Sequence, residues 1–426
     1  MTQPPWGQPP QGFYGQPQPP QQQQPQPPLQ PPPPQAPYGQ APSRFDSRFW
    51  MGLVGTLLGC AIGLAAMLKV FVLDLPPGPR SLILESMSRA SVVAYLPVVL
   101  YLFVPFVVDR YDPEPWWALL GVFAWGALFA TGVSAVVNTY GGELVAELTG
   151  DAKTGELYSL AISAPVFEEL FKGLAIFGMV VFLRREFDGV VDGIIYGTFA
   201  AIGFAATENM IYYARADLAQ VVLHKENALS DIFVLRGVLT PWLHPLFTSM
   251  TGIGFGLARE SHESWKKFVF PAGGYVVAVL LHSWWNGLPT ITAQLAGQSE
   301  GAAVQLLNIA VGLLMALVFF IIVCVLVYRK GQTIKKFLYD ELLIGTISKE
   351  EYDLITAYGG RLKARLSWRG KAGEDFVAAG ARLALSKFHT DRAHKGQKRT
   401  ISMDFIVPLR HELARQRQMM MANYRR

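Results

Sequence analysis

The middle of the chain alternates long apolar runs with short polar breaks. Eight such runs stand out: Phe49–Leu73, Ser91–Val108, Trp116–Asn138, Tyr158–Leu183, Gly189–Ala214, Gly237–Ala258, Phe268–Leu288 and Ala303–Tyr328. Each is close to the ~20 residues of helix that cross the hydrocarbon core of a bilayer. A helix in lipid also satisfies its own backbone hydrogen bonds, which an open strand cannot do. The pattern therefore predicts an all-α fold, a polytopic helical membrane bundle of about eight transmembrane helices over residues 49–328. After Tyr328 the apolar pattern gives way to charged, broadly helical sequence, so residues 329–426 are expected to form a basic helical cytoplasmic tail. Residues 1–43 are dominated by Pro, Gln and Gly and include Pro31-Pro32-Pro33-Pro34. That composition buries no core and is expected to be disordered, partly as polyproline II. It does not read as a cleavable signal peptide. A proline-rich ligand for an SH3- or WW-type partner is the functional alternative to a solvated tail.

Composition agrees with a lipid environment. The chain is 51% hydrophobic and 16% charged, against about 25% charged in soluble domains. The net charge of +5 is small, and its placement matters more than its sum. Basic residues gather at the ends of apolar runs, which marks membrane topology and argues against nucleic-acid binding. With both termini cytoplasmic, twelve flanking Lys and Arg face inward, including Arg48, Arg110, Arg184, Arg185, Arg259, Arg329 and Lys330. Six face outward: Arg80, Arg89, Lys153, Arg215, Lys225 and Arg236. Cys60 and Cys324 both lie inside apolar runs and offer neither a disulfide framework nor a thiolate metal site.

The candidate chemistry lies where polar groups interrupt apolar spans. The fourth span contains Glu168-Glu169-Leu170-Phe171-Lys172, the fifth Thr207-Glu208-Asn209, the sixth Pro241-Trp242-Leu243-His244-Pro245, and the seventh His282-Ser283-Trp284-Trp285-Asn286. Ionisable groups at such depth cost roughly 2.5–3.5 kcal/mol each on insertion scales, and they usually face a bundle interior. At 1.5 Å per residue, Glu168 lies roughly 15 Å, His244 roughly 11 Å and His282 roughly 9 Å from the outer ends of their spans, with Glu208 at about the same depth. The four can therefore meet. Glu168 and Lys172 share a helical face, as do Glu169 and Lys172, so the lysine can pair with one acid and leave the other to titrate. His282 and Asn286 also share a face. Pro241 and Pro245 disrupt the helix around His244, which suits a wet pocket. Each feature has a structural alternative: a self-neutralising ion cluster, interhelical hydrogen bonds, or headgroup contacts for Glu208 and Asn209. Gly193, Gly197, Gly252 and Gly256 read as close-packing positions.

Taken in order, Tyr111-Asp112-Pro113-Glu114-Pro115, Glu168-Glu169-Leu170-Phe171-Lys172, Arg185 to Gly197, Gly203 to Asn209, His244 to Thr248 and His282 to Asn286 resemble the PrsW family of intramembrane proteases, related to the CAAX prenyl endopeptidases and bacteriocin-processing membrane proteases. The resemblance covers roughly residues 90–290. It implies an intramembrane endopeptidase acting on a membrane-embedded protein substrate, with anti-sigma factors among the substrates associated with the family. It also implies that Glu168, Glu169, His244 and His282 are the essential acids and histidines. The leading expectation is a metal-free hydrolase. One glutamate activates water, His244, His282 and Asn286 stabilise the oxyanion, Lys172 tunes the acids, and Glu208 and Asn209 position a histidine or the substrate. A zinc hydrolase using His244, His282 and one glutamate is the alternative enzyme, although His-Glu-x-x-His is absent. A transporter or scaffold with a proton relay is the alternative outside catalysis.

Overall fold

The computed structural model describes residues 46–74, 80–108, 110–261, 263–295, 298–367, 369–395 and 401–424. The Pro/Gln-rich segment expected at 1–43 lies outside them. The described residues are mostly helical, with no strand among them. The first helix, α1 (Ser47–Leu73), starts where the Asp46 carboxylate accepts hydrogen bonds from the backbone N–H groups of Arg48 and Phe49, both at 3.1 Å. Then follow α2 (Arg80–Val108), interrupted at Leu96-Pro97, and α3 (Trp116–Thr149). A short helix, Ala152–Tyr158, and a wide π-type turn, Ser159–Ser163, lead into α4 (Ala164–Phe182). The bundle continues with α5 (Val190–Leu223), α6 (Leu243–Glu260), α7 (Lys266–Leu295) and α8 (Gln298–Leu343).

Six of these helices are long and apolar enough to cross a membrane: α1, α2, α3, α5, α7 and α8. The fourth and sixth expected spans are present as the helices α4 and α6, but neither joins that set. In α4 the cause is local, since Glu168, Glu169 and Lys172 fall within five residues. The sixth span departs further from expectation. Residues Val234–Leu239 form a wide π-type turn, the chain breaks at Thr240 to Trp242, and α6 begins only at Leu243. Pro241 causes the break, because it offers no N–H to a preceding turn. Pro245 is tolerated in the first turn, where that N–H would be unpaired anyway. His244 therefore sits at a helix start, not within a continuous span.

Helix α5 is the axis of the bundle, with 89% of its most apolar stretch buried. Its glycines explain how neighbours approach so closely. A Cβ on Gly193 would lie 2.1 Å from the Gly252 carbonyl oxygen, and one on Gly252 would lie 2.0 Å from that of Gly193. The α5–α6 crossing is thus possible only with both residues as glycine. Around this axis Ile176, Ile195, Tyr196, Phe199 and Phe247 form the main core. By contrast α1 and α8 are covered over only 11% and 17% of their apolar windows, as lipid-facing walls would be.

Helix α8 has 46 residues, or about 69 Å at the helical rise, more than twice a ~30 Å hydrocarbon core. Its end joins a second core with α9 (Lys349–Thr356), α10 (Gly360–Leu366), α11 (Gly370–Lys395) and α12 (Ile406–Tyr424), built on Ile334, Leu338, Ile355, Phe376 and Leu383. Ion pairs tie this region to the bundle: Arg382 to Asp112 at 2.7 Å, Lys330 to Asp192 at 3.0 Å and Arg392 to Glu260 at 3.0 Å.

Candidate active site

Helix α4 aims Glu168, Glu169 and Lys172 inward, and all three are buried. Lys172 Nζ donates to Glu169 Oε1 at 2.5 Å, so the i, i+3 pairing wins over i, i+4. Glu169 also accepts from Thr248 Oγ1 on α6 at 2.8 Å and faces His282 Nδ1 on α7 at 3.1 Å. A carboxylate can only accept, so His282 carries its proton on Nδ1. This turns the Nε2 lone pair of His282 toward Glu168 Oε2, 3.8 Å away. That gap is too wide for a direct hydrogen bond. Glu168 Oε1 accepts from Asn138 Nδ2 on α3 at 3.3 Å, while Oε2 is buried with no hydrogen-bond partner among the described residues. Asn138 is itself held by Ser163, which donates to its side-chain oxygen at 2.8 Å.

His244 comes in from the start of α6. Its Nε2 lies 3.0 Å from Glu208 Oε2 on α5, and its Nδ1 lies 3.3 Å from Lys172 Nζ. Glu208 is paired with Arg236, which also donates from Nε to Asn209 Oδ1 at 2.6 Å. Aromatic rings fix the imidazoles. Phe247 stacks on His282 at 5.2 Å, the two histidine rings meet edge-on at 5.1 Å, and Lys172 lies 4.2 Å above the Phe204 ring. One ligand atom each from Glu168, His244 and His282 fall within 4.8 Å of one another.

The fold thus brings Glu168, Glu169, Lys172, Glu208, His244 and His282 into one contiguous network, with Asn209 at its edge. Asn286 takes another part: its amide donates to the Leu160 carbonyl at 3.3 Å, fastening α7 to the turn ahead of α4. Four contributors were not foreseen. Arg236 counted in the sequence as an outward loop charge, yet it is the half-buried partner of Glu208. Asn138 marked the end of the third span, although a polar amide closing an apolar run is itself a signal. Thr248 lies four residues after His244, on the same helical face. Ser163, next to Asn138, gave no signal of its own.

The charges balance in pairs, with one left over. Glu169 is offset by Lys172 and Glu208 by Arg236. Among the described residues, Glu168 has no cation in contact with it.

A sequence model of the family described as "PrsW family intramembrane metalloprotease" matches residues 114–326, half of the 426-residue chain. A "Protease PrsW" from Geobacillus kaustophilus is 26% identical over 205 residues, covering 43% of this chain and 82% of that protein. One from Oceanobacillus iheyensis is 27% identical over 173 residues, covering 41% and 70%. One from Clostridioides difficile is 25% identical over 194 residues, covering 45% and 74%. No solved structure matches.

Proposed function

This chain belongs to the PrsW family of intramembrane metalloproteases, and on that premise we propose that its buried acid–histidine network hydrolyses a peptide bond of a membrane-anchored protein, with Glu168 as the group that acts on water. The chain is a multi-pass membrane protease. Its substrate is read here as a membrane-tethered protein, anti-sigma factors being the class the sequence resemblance points to. The excess of basic flanks on one side supports reading both termini as cytoplasmic.

The observation that carries the assignment is the unpartnered Oε2 of Glu168, facing His282 Nε2 across 3.8 Å. A water between them can donate one hydrogen to each, and a base within one hydrogen bond of that water is what general-base hydrolysis needs. Glu169 acts through His282. Engaged by three donors, it holds the imidazole in one tautomer and orientation. Lys172 offsets Glu169 and reaches His244, so its ammonium is the cationic donor we assign to a developing oxyanion. Glu208, held by Arg236 and bonded to His244, orients the second imidazole.

A second reading is favoured by the donor set of Glu168, His244 and His282. Two imidazoles and a carboxylate are an acceptable zinc set with an open position. The Glu169 contact to His282 Nδ1 is the outer-shell bond that metal-binding histidines usually have. His244 fits less freely, since Glu208 and Lys172 already occupy its two nitrogens, and it would have to release Lys172. A zinc ion held there would supply a Lewis acid for the water and the scissile carbonyl.

The test is cleavage of a membrane-tethered reporter in cells expressing the chain. Glu168→Ala and His282→Ala are expected to abolish it, and undiminished cleavage by Glu168→Ala would remove the assignment. Metal content of the purified protein separates the two chemistries. Stoichiometric zinc lost on His282→Ala, with chelator-sensitive activity, selects the cation reading; metal-free active protein selects the glutamate base.

A further inference from the structure

The tail region carries an apolar ridge that the other described residues leave uncovered. Helix α10 buries one face, on which Gly360 is so close to α9 that a Cβ there would lie 1.9 Å from the Leu354 carbonyl oxygen, and Ala364 is fully buried. On its other face Leu362 and Leu366 are 61% and 78% exposed, and Tyr358, in the turn before the helix, is 68% exposed. These three follow at intervals of four, which on a helix places Leu362 and Leu366 in one stripe. The surrounding sequence is basic. Residues 361–375 hold five Lys and Arg (Arg361, Lys363, Arg365, Arg369, Lys371) against two acids, Glu374 and Asp375. Glu374 engages Arg361, Arg365 and Lys371, which leaves the segment with a positive excess. Large apolar residues on one edge with basic residues beside them are the composition of an interfacial segment.

Position supplies the second observation. The Arg110 guanidinium lies over the Tyr358 ring, 2.9 Å from its centroid, and Arg110 comes two residues after the end of α2 at Val108. The next residue, Tyr111, approaches α8 so closely that a Cβ on Gly331 would lie 2.5 Å from its hydroxyl. That is where the apolar stretch of α8 has just given way to Arg329-Lys330. Tyr358 therefore sits at the level at which two lipid-facing helices leave the hydrocarbon, and the ridge begins there.

We propose that Tyr358, Leu362 and Leu366 seat in the leaflet of the enzyme's own membrane on the tail side, with Lys363 and the neighbouring basic residues on anionic headgroups. The ridge is then continuous with the lipid-facing surface of the bundle, and its positive excess complements an anionic leaflet. The tail region is held at the membrane through lipid as well as through the Arg382–Asp112 pair.

The test uses the full chain with Cys60→Ser and Cys324→Ser, reconstituted into phosphatidylcholine vesicles with or without phosphatidylglycerol. Single cysteines placed as Leu362→Cys, Leu366→Cys and, as a control, Asp353→Cys carry an environment-sensitive fluorophore. In anionic vesicles the labels at 362 and 366 are expected to be quenched by nitroxide-bearing lipids and shielded from aqueous iodide, whereas the label at the exposed Asp353 shows the reverse. Iodide reaching position 362 as freely as position 353 overturns the proposal. So does quenching between labels that grows with protein density instead of with nitroxide lipid, which would assign the ridge to a second copy of the chain. Insertion unchanged in pure phosphatidylcholine overturns the headgroup contact.

Discussion

Glutamine substitutions at the two adjacent acids are expected to separate catalysis from stability. Glu169 is fully buried and engages Lys172, Thr248 and His282 at 2.5, 2.8 and 3.1 Å. Glu169→Gln removes the charge that offsets a fully buried ammonium. Breaking a buried ion pair from one side costs about 3–5 kcal/mol, or roughly two to four decades in the folding equilibrium at 1.4 kcal/mol per decade. Glu168 is different. One oxygen has only the 3.3 Å contact with Asn138 and the other has no partner. Glu168→Gln keeps the shape, removes a carboxyl that no cation contacts and offers an amide N–H toward His282. Its stability is expected to stay within about 1 kcal/mol of the parent, as for substitutions that break no network. Its hydrolysis should fall by the ~10²–10⁴ that a general base contributes. Thermal unfolding in detergent reads the first quantity and single-turnover cleavage of a tethered reporter reads the second. Adding Lys172→Met to Glu169→Gln should restore part of the lost stability, because both ends of the pair are then neutral. A Glu168→Gln protein that unfolds as early as Glu169→Gln, or that cuts at the parental rate, would refute this division of roles.

Arg236→Met should reduce turnover by roughly 10–100-fold, as loss of an outer-shell partner does, with little change in KM, because Arg236 acts on His244 through Glu208; a KM effect alone would contradict this. Gly193→Ala should lower the unfolding temperature through a loss of about 1–3 kcal/mol or more, whereas Gly121→Ala, whose Cβ meets nothing within 4 Å, should not. Asp188, in the loop before α5, has its carboxyl pushed up from 3.8 to about 7, by burial first and then by Asp192 and Asp112. In that window the folded chain binds a proton that the unfolded chain does not. Stability should therefore fall as pH rises from about 4 to about 7 and level off above it. Asp188→Asn should flatten the profile in denaturant titrations, and an unchanged slope would remove Asp188 as its source.

The helical class and the polar network were legible because both rest on strong local signals. Apolar runs of about 20 residues match the thickness of a bilayer and little else, and acids within them must find partners. The sixth span was misjudged because apolar content alone does not reveal a helix break. Pro241 was visible, but whether a proline kinks a span or ends it depends on tertiary contacts such as the seating of Arg236 against Glu208 and Asn209. Arg236 was misplaced for the same reason. Beside a break it reads as a flanking charge, and only the fold of residues 234–243 back toward α5 makes it a partner. Asn286 shares its helical face with His282, yet the turn ahead of α4 offers a closer acceptor at Leu160. Sequence spacing cannot rank two acceptors on different helices.

The difference between eight expected spans and six sufficiently apolar helices has a physical origin that links topology to chemistry. Helix α4 brings three charged residues into the bundle, a cost of roughly 7–10 kcal/mol at about 2.5–3.5 kcal/mol each if they faced lipid uncompensated. Helix α6 begins at a proline break with His244 in its first turn. Neither is suited to lipid contact, and both pack where other helices shield them, α4 against α3, α5, α6 and α7, and α6 against α5 and α7. The three most apolar helices, α1, α2 and α8, are sparsely covered, while α5, which also carries a charge in Glu208, is the most enclosed of the six. For these helices, insertion cost favours the charged ones inside and the most apolar ones outside; α7, the least apolar of the six spans, is sparsely covered and turns His282 inward. That sorting draws Glu168 and His244 into the interior, where His282 on α7 meets them, and it leaves the Glu168 carboxyl without an ammonium or guanidinium in contact, so that a proton or a bound cation has to answer it whenever it ionises.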